Sequence, residues 1–244
     1  MKQIQITLTP EESKRIIAMG VKKLPIVQKA LKKGIILITL GTTNAYVAEE
    51  LTGKKIDHFR YGAGYIDGTT TVVPMEKRLP TIALRDGMQV DGAENIIKEM
   101  GAGDVIIKGA NALDPDGIAG VMMANPVGGT TGTVLGAVMA RGINLVIPVG
   151  LEKSIPYSVM EISKRVGIGR CSKATGLPVG VMPLAGTVVT EVAALTLLGA
   201  EDVFPIGAGG INGGEGSITL CVIGNNVDEI FDLVQKVKEK KGEL

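Results

Sequence analysis

Residues 35–51 read IILITLGTTNAYVAEEL, and this stretch is the clearest indication of the fold class. Its first part, Ile35–Leu40, is a short apolar run of the kind found in strands that are buried on both faces. The segment Gly41–Asn44 follows at once and favours a turn, and Ala45–Leu51 then has the composition of a helix. Strand, turn and helix in this order predict one βα unit of a parallel sheet.

The same pattern recurs along the chain. Short apolar strands are predicted at Asp104–Ile107 and Leu145–Pro148, and helices at Ala93–Met100 and Thr130–Arg141. Strands that alternate with helices predict an α/β fold, in which a Rossmann-like, mostly parallel sheet is covered by helices on both faces. We assign residues 1–176 to this ligand-binding core.

The first residues predict a strand and then a long helical region. Lys2–Leu8 alternates in the manner of a strand. Thr9 as N-cap, Pro10 in the first turn and Glu12 three residues after the cap have the pattern of a capping box. We expect the helical region to extend to about Lys33, with a break at Pro25.

From Leu177 the order of the predicted elements changes to β-α-β-β-α, which favours a small α+β module over residues 177–244, after a linker at 167–176. The elements are strand Pro178–Leu184, helix Thr187–Leu198, strands Asp202–Ile206 and Ser217–Ile223, and helix Val227–Lys241. A glycine-rich hairpin, Gly207–Gly216, is expected at the tip of the module. The basic residues of the last helix, expected at a solvated end, are Lys236, Lys238, Lys240 and Lys241.

Composition and charge exclude several classes of function. The 244 residues include 26 basic and 25 acidic side chains, and the net charge of +1 argues against a nucleic-acid partner. The first apolar run is too short to span a bilayer, so we expect no membrane association and a cytoplasmic location. Cys171 and Cys221 match no zinc or disulfide pattern and are expected to be buried. We expect no metal and no cofactor, and the aliphatic excess favours a homo-oligomer.

Three stretches in chain order carry a family resemblance: 35–51; 104–120 with the loop 127–133 and the segment 143–150; and 177–199 with 216–224 and the final helix. They resemble the superfamily of ribose-5-phosphate isomerase A, glucosamine-phosphate isomerase and the coenzyme-A transferases. The first stretch is similar to that isomerase's first strand and its glycine-serine-threonine turn, and the last is similar to its α+β module. The middle stretch is also similar to the core of the methylthioribose-1-phosphate isomerase and initiation-factor 2B branch. The resemblance implies a phosphorylated sugar as ligand.

The family's catalytic motif fits this chain in two registers. In one, Asp91–Glu94 takes the place of the carboxylate motif, although Asp91 is expected to open a helix and not to follow a strand. In the other, which the strand pattern favours, Lys108 and Asn111 stand where ribose-5-phosphate isomerase A has aspartates. Aldose–ketose isomerisation needs a base that moves a proton between adjacent carbons. The usual catalytic carboxylates are therefore not matched.

Ligands of open α/β sheets bind beyond the carboxyl ends of the strands, where glycine-rich turns at helix N-termini suit an anion. The predicted ligand-binding residues are Gly41, Thr42, Thr43, Asn44, Gly109, Asn111, Gly128, Gly129, Thr130, Thr131 and Lys153, and the predicted catalytic residues are Lys108 and Asp114. Structural alternatives stay open for these turns. The threonines after Gly41 can serve as helix caps, the second Gly/Thr turn can serve close packing, Lys153 can be solvated, and Asp114–Gly117 has the composition of a surface turn.

Three other features have weaker links to chemistry. Tyr61–Tyr65 is a further candidate ligand loop. His58 is the only histidine and is expected at the surface, so neither a hydrolytic triad nor a metal site is favoured. Glu215 lies in the glycine-rich hairpin, and a glutamate is the acyl-accepting nucleophile of the coenzyme-A transferases that the chain resembles.

Three functions follow as hypotheses. The first is binding of a phosphorylated sugar or related anionic metabolite, with isomerase-like proton transfer. The second is a non-catalytic metabolite-binding or regulatory protein of the same fold. The third is an enzyme similar to the acyl-coenzyme-A transferases, with Glu215 as nucleophile.

Overall fold

The structure, a computed structural model, describes residues 1–239, without the side chain of Glu94. The α-helices are α1 (Pro10–Lys23), α2 (Pro25–Lys32), α3 (Thr42–Thr52), α4 (Ala93–Ile96), α5 (Gly129–Arg141), α6 (Val159–Arg165), α7 (Glu191–Leu197) and α8 (Val227–Glu239). The strands are β1 (Lys2–Leu8), β2 (Ile35–Ile38), β3 (Gly64–Asp67), β4 (Thr69–Val72), β5 (Ile82–Arg85), β6 (Met88–Val90), β7 (Val105–Ile107), β8 (Ala112–Leu113), β9 (Ala119–Met123), β10 (Asn144–Pro148), β11 (Gly180–Leu184), β12 (Thr187–Val189), β13 (Asp202–Gly209) and β14 (Ser217–Gly224). Short 3-10 turns are formed by Met75–Lys77, Leu151–Lys153 and Ile168–Arg170.

A six-stranded sheet in the order β12-β10-β7-β2-β5-β6 forms the centre of the described chain. The strands β12, β10, β7 and β2 pair in parallel, whereas β5 pairs antiparallel with β2 and β6 antiparallel with β5. The prediction of an α/β fold with a mostly parallel sheet is therefore confirmed, and the antiparallel strands β5 and β6 make the sheet a mixed one.

The central strands are buried on both faces because helices or strands cover each side. Alternate residues of β2 point into different cores: Ile36 and Ile38 belong to one cluster, and Ile35 and Leu37 to the other. The first cluster also contains apolar side chains of α1, α2, α3, α7 and α8, and the second contains side chains of α4, α5 and β9. A strand with two buried faces has no polar side, which explains the continuous apolar runs of the sequence.

The capping box predicted at the start of α1 is present. The Thr9 side chain accepts a hydrogen bond from the Glu12 N–H, and the Glu12 carboxylate accepts one from the Thr9 N–H at 2.9 Å. The predicted break at Pro25 is also confirmed, since α1 ends at Lys23 and α2 begins at Pro25.

Three smaller sheets accompany the central one: antiparallel β1-β14-β13, antiparallel β11-β9-β8, and the hairpin β3-β4. The N-terminal strand β1 thus pairs with β14, near the other end of the described chain. Strands β11 and β12, which follow residue 177, pair with β9 and β10, which precede it. Sheets are therefore shared across the predicted boundary between core and module.

Several predicted boundaries differ from the structure. Residues 187–189, predicted to begin a helix, form β12, and α7 begins only at Glu191. Helix α4 ends at Ile96 instead of Met100, and Gly92, with φ +73°, is its N-cap. Asp91, which was not expected to follow a strand, comes directly after β6. Lys240 and Lys241 lie outside the described residues.

Two further sequence-based expectations have outcomes here. In the described part of the chain, no helix combines the length and apolar character needed to cross a membrane. Cys221 is buried as expected, but Cys171 is exposed, so the expectation for Cys171 was wrong. Cys171 follows a 3-10 turn and lies in a stretch of exposed residues.

Candidate functional site

A cavity of about 460 Å³ opens beyond the carboxyl ends of β2 and β7. Its other walls come from the β3-β4 hairpin, from β9, and from the first residues of α5. Most residues predicted from the sequence line it: Gly41, Thr42, Thr43, Lys108, Gly109, Asn111, Gly128, Gly129, Thr130, Thr131 and Lys153. Asn44 and Asp114 are not part of the lining.

The turn from β2 into α3 forms one wall of the cavity. The N-cap of α3 is Gly41, and no side-chain hydrogen bond caps the helix, so the threonines that follow do not act as caps. The Thr43 hydroxyl is buried, and the hydroxyl oxygen has no hydrogen-bond partner in the described structure. A buried hydroxyl without a partner costs free energy unless a ligand or water satisfies it.

Asn44 has a structural role beneath this wall. It is fully buried, and its Nδ2 donates to the Thr39 carbonyl at 2.8 Å and to the Ile107 carbonyl at 3.4 Å. These bonds join the carboxyl ends of β2 and β7. Asn44 therefore supports the cavity from below and is not placed to contact a ligand directly.

Lys108 follows the last residue of β7, and its side chain is only 7% exposed. Its N–H donates to the Val146 carbonyl at 2.9 Å, which fixes the backbone against β10. Within residues 1–239, its Nζ has neither a hydrogen-bond acceptor nor an ion-pair partner. Burial lowers the pKa of Lys108 from 10.5 to about 8, because the ammonium loses its hydration.

Lys153 reaches the same cavity from the 3-10 turn after β10. Its Nζ donates to the Ala110 carbonyl at 3.0 Å, and the turn is held by the Leu151 N–H, which donates to the Glu191 carboxylate at 2.9 Å. Burial lowers the pKa of Lys153, while the carboxylates of Glu152 and Glu191 oppose that fall. The Nζ of Lys153 thus has a hydrogen bond to the backbone, whereas the Nζ of Lys108 has none in the described structure.

The backbone conformation of the turn into α5 is one reason for the glycines of this motif. Gly128 and Gly129 have φ values of +80° and +54°, in the left-handed region that favours glycine. A Cβ at Gly132 would lie 2.3 Å from the Val127 carbonyl oxygen. Close packing, the structural alternative, therefore explains part of this motif, and the motif also lines the cavity with Thr130 and Thr131.

Asn111 is tied to the neighbouring sheet. Its N–H donates to the Gly120 carbonyl at 2.8 Å, and its Oδ1 accepts from the Met122 N–H at 3.1 Å. The remaining Nδ2 donors have no acceptor within the part of the chain that the structure describes. Asn111 can therefore offer a donor to a ligand, but not a base.

Asp114 has a structural role. Its Oδ1 accepts from the N–H groups of Asp116 and Ile118 at 3.0 and 2.8 Å, and its Oδ2 accepts from the Val159 N–H at 2.9 Å. The residue is 5% exposed and stabilises the turn after β8 against the start of α6. The alternative of a turn residue matches this position, and nothing here supports a catalytic role for Asp114.

Sequence analysis missed Arg78, the third cation of the cavity. Its Nε donates to the Val73 carbonyl at 2.7 Å, and it follows a 3-10 turn with no recognisable motif. The candidate loop at 61–65 is present in the lining only in part. Tyr65 lines the cavity, whereas Tyr61 is fully buried and donates its hydroxyl to the Ile38 carbonyl at 2.7 Å.

The β3-β4 hairpin covers the cavity and is attached to the segment before β11. The Thr70 hydroxyl donates to the Leu177 carbonyl at 2.6 Å, and the Leu177 N–H donates to the Thr70 carbonyl at 2.8 Å. Gly176, with φ +113°, permits this approach, since a Cβ there would lie 2.3 Å from the Thr70 oxygen. Leu177 itself lines the cavity, so both pieces of chain form its roof.

The cavity is electropositive. Its cationic side chains are Arg78, Lys108 and Lys153, and no Asp or Glu is found among its lining residues in the described structure. Asp91, from the alternative register, is exposed at the end of β6 and is not part of the lining. The register that places Lys108 and Asn111 at the site therefore agrees with the position of the cavity.

The other candidate residues lie elsewhere. Glu215 is exposed in the hairpin between β13 and β14, where it accepts from the Gly213 N–H at 2.8 Å. His58 is half-buried: its ring stacks on Tyr46 with centroids 4.0 Å apart, and its Nε2 lies 3.1 Å from Glu49. Neither residue lines the cavity.

The chain matches no protein-family model, no curated protein and no solved structure. The family resemblance drawn from the sequence therefore stays a prediction.

Proposed function

We propose that this protein binds a phosphorylated sugar or a related anionic metabolite in the cavity beyond β2 and β7. One observation carries the proposal: the lining contains three cationic side chains and, within the described residues, no carboxylate. Such a lining attracts an anion by charge, and none of its described side chains is negative.

Two helix N-termini support the same proposal. Helices α3 and α5 both begin at the cavity, and the N–H groups of a first helical turn favour a phosphate or carboxylate. The buried Thr43 hydroxyl stands at the first of these turns without a partner in the described structure. A phosphate oxygen bound there would satisfy it.

Isomerase-like proton transfer belongs to the proposal in a modified form. The described residues of the lining include no carboxylate base, so the proton would be moved by an amine. Lys108 is the candidate, because a pKa of about 8 leaves part of the amine unprotonated near neutral pH.

We also propose a Rossmann-like core and a C-terminal α+β module. A Rossmann-like core is supported by the parallel order β12-β10-β7-β2 with helices on both faces. A C-terminal α+β module is supported by β13, β14 and α8, although β1 joins its sheet. The cytoplasmic location, the homo-oligomer and the domain boundary at residues 176 and 177 stay predictions.

Thermal unfolding with ribose 5-phosphate and with ribose tests the proposed ligand class. A ligand at a hundred times its Kd adds about 2.7 kcal/mol to the free energy of unfolding. For a chain of this size, that raises Tm by roughly 5–10 °C. We expect stabilisation by the phosphate ester and none by the free sugar; equal effects of both would contradict a phosphate site.

Lys153→Met locates the phosphate within the cavity. A hydrogen bond to a charged group contributes about 1.5–3 kcal/mol, so its loss should weaken binding by roughly ten- to a hundredfold. Lys55→Met is the matched control, because Lys55 is exposed and outside the lining. Unchanged affinity in Lys153→Met would remove this residue from the site.

A non-catalytic metabolite-binding or regulatory protein is the second candidate. The lack of a carboxylate among the described lining residues favours it over an ordinary isomerase. Turnover of any phosphosugar that stabilises the protein would exclude it. Acyl-coenzyme-A chemistry has less support, since Glu215 lies outside the cavity, and full retention of activity in Glu215→Gln would remove it.

A further inference from the structure

The two lysines of the cavity are held in different ways. The Nζ of Lys153 donates to the Ala110 carbonyl; burial lowers the pKa of Lys153, and the carboxylates of Glu152 and Glu191 oppose part of that fall. The Nζ of Lys108 has no protein partner in the described structure, although the residue is 7% exposed. Hydrogen-bond acceptors and nearby carboxylates favour the charged ammonium form of a lysine, which is the form that binds an anion. A buried lysine without such partners is suited to react as a neutral amine.

We propose that Lys108 is a nucleophile that forms an imine with the carbonyl group of a phosphorylated aldehyde or ketone, while Lys153 and Arg78 bind the phosphate. This inference rests on the proposed function, because the phosphate places the carbonyl carbon near Lys108. It goes further by assigning a covalent step and by restricting the ligand class to phosphate esters that carry a carbonyl group.

The surroundings of Lys108 fit this step. The residue is fixed at the end of β7 by its N–H bond to the Val146 carbonyl, so its side chain starts from a rigid strand. Other cations line the cavity and no carboxylate of the described residues does, so no ion pair ties up the amine. Burial lowers the pKa of Lys108 from 10.5 to about 8, which makes the unprotonated fraction at neutral pH on the order of a hundredfold larger than for an exposed lysine.

The step balances without an added oxidant or reductant. The lone pair of Nζ attacks the carbonyl carbon, the C–N bond forms, and the amine proton passes to the former carbonyl oxygen to give a carbinolamine. A second proton, taken up from water, lets that oxygen leave as water and leaves an iminium ion. The iminium withdraws electrons from the neighbouring carbon, which makes its C–H bond acidic. Proton transfer between adjacent carbons then needs only a base as weak as water, so in this scheme Lys108 promotes the transfer through the iminium and does not itself accept the proton.

Reductive trapping tests the proposal on the full chain. The protein is incubated at neutral pH with sodium cyanoborohydride together with one carbonyl compound in each sample: dihydroxyacetone phosphate, glyceraldehyde 3-phosphate, ribose 5-phosphate or, as the control without phosphate, dihydroxyacetone. The reductant delivers hydride to an iminium carbon and leaves a stable secondary amine. Peptide mapping by mass spectrometry then locates the adduct in the wild-type protein, without the need for any variant.

We expect modification to concentrate on Lys108 and to fall when inorganic phosphate is added in excess. Lys108→Arg should abolish that adduct, and circular dichroism checks that the variant is folded. Lys55→Met, at an exposed position outside the cavity, should leave it unchanged. Adducts spread over exposed lysines, with Lys108 not enriched, would overturn the proposal.

The same samples separate this inference from the proposed function. If the phosphate esters raise Tm but Lys108 is not trapped, the phosphate site stands and the covalent step is wrong. If Lys108 is trapped equally by dihydroxyacetone and its phosphate, and inorganic phosphate does not compete, the imine stands and the phosphate site is wrong. No Tm shift and no adduct with the three phosphate esters would overturn both for this ligand class.

Discussion

Replacing Lys108 by methionine should stabilise the protein. The buried ammonium loses hydration on folding, and the pKa falls from 10.5 to about 8 as a result. At 1.36 kcal/mol for each pKa unit, that fall corresponds to a cost of roughly 3 kcal/mol when the lysine is charged. Methionine has a similar length and no charge, so Lys108→Met should recover much of that free energy at pH 7, or about 6–12 °C in Tm.

The stability gained by Lys108→Met should decrease as the pH rises. The folded pKa lies below the unfolded one, so the cost is fully present below about pH 8 and disappears as pH rises toward 10.5, where both states hold a neutral amine. Lys153 and Arg78 line the same cavity in both proteins, and their effects largely cancel in the difference between variant and wild type.

Urea unfolding of wild type, Lys108→Met and the exposed control Lys55→Met, at pH 7 and near pH 10, measures this difference. We expect a gain for Lys108→Met at pH 7 that shrinks near pH 10, and almost no change for the control. A loss of stability at pH 7, or an equal gain at both pH values, would show that the buried charge of Lys108 does not destabilise the folded protein. A buried lysine that destabilises the folded protein is expected to be retained because it has a function.

Other predictions concern the support of the site and the assembly of the chain. Asp114→Ala should lower the free energy of unfolding by about 2–4 kcal/mol, because three N–H groups lose a charged acceptor. The affinity of the folded protein for a phosphosugar should stay unchanged. Calorimetry measures both quantities, and a tenfold loss of affinity would contradict a purely structural role. Gly132→Ala should weaken ligand binding, because the added Cβ would lie 2.3 Å from the Val127 carbonyl oxygen. Gly136→Ala is the control, since no described heavy atom outside the helix's own backbone lies within 4 Å of the added Cβ. It should add up to about 1 kcal/mol of helix stability and leave binding unchanged. The reverse ranking in a titration would be inconsistent with this packing. Light scattering should show a homo-oligomer, and a monomer would refute that prediction.

The sequence was sufficient to place the lysines of the site but not all of its walls. Lys108 and Lys153 each follow an apolar strand of the parallel sheet, and the carboxyl ends of such strands meet at one edge. Arg78 could not be placed in this way, because it reaches the cavity through a 3-10 turn whose position depends on tertiary packing. Asp114 was assigned to chemistry because its three backbone donors come from a turn and from α6, which local sequence does not connect.

The strand pairings of β12 and β14 could not be predicted because they depend on distant strands and not on local sequence. Residues 187–189 are Thr-Val-Val, which are compatible with a helix start, yet they form β12 because β10 has a free edge there. The pairing of β1 with β14 leaves no local signal at all, since strand partners distant in sequence are chosen by the sheet and not by either strand.

That pairing sets an order of events during synthesis. Thr7 and Thr219 face each other across β1 and β14 although they are 212 residues apart. Strand β1 is synthesised early but cannot pair with β14 until almost all of the described chain has been synthesised. Until then, β14 does not cover Ile6 and Leu8. Closing so long a loop is slow, and completion of this small sheet is a late step of folding that protects a hydrophobic strand only at the end.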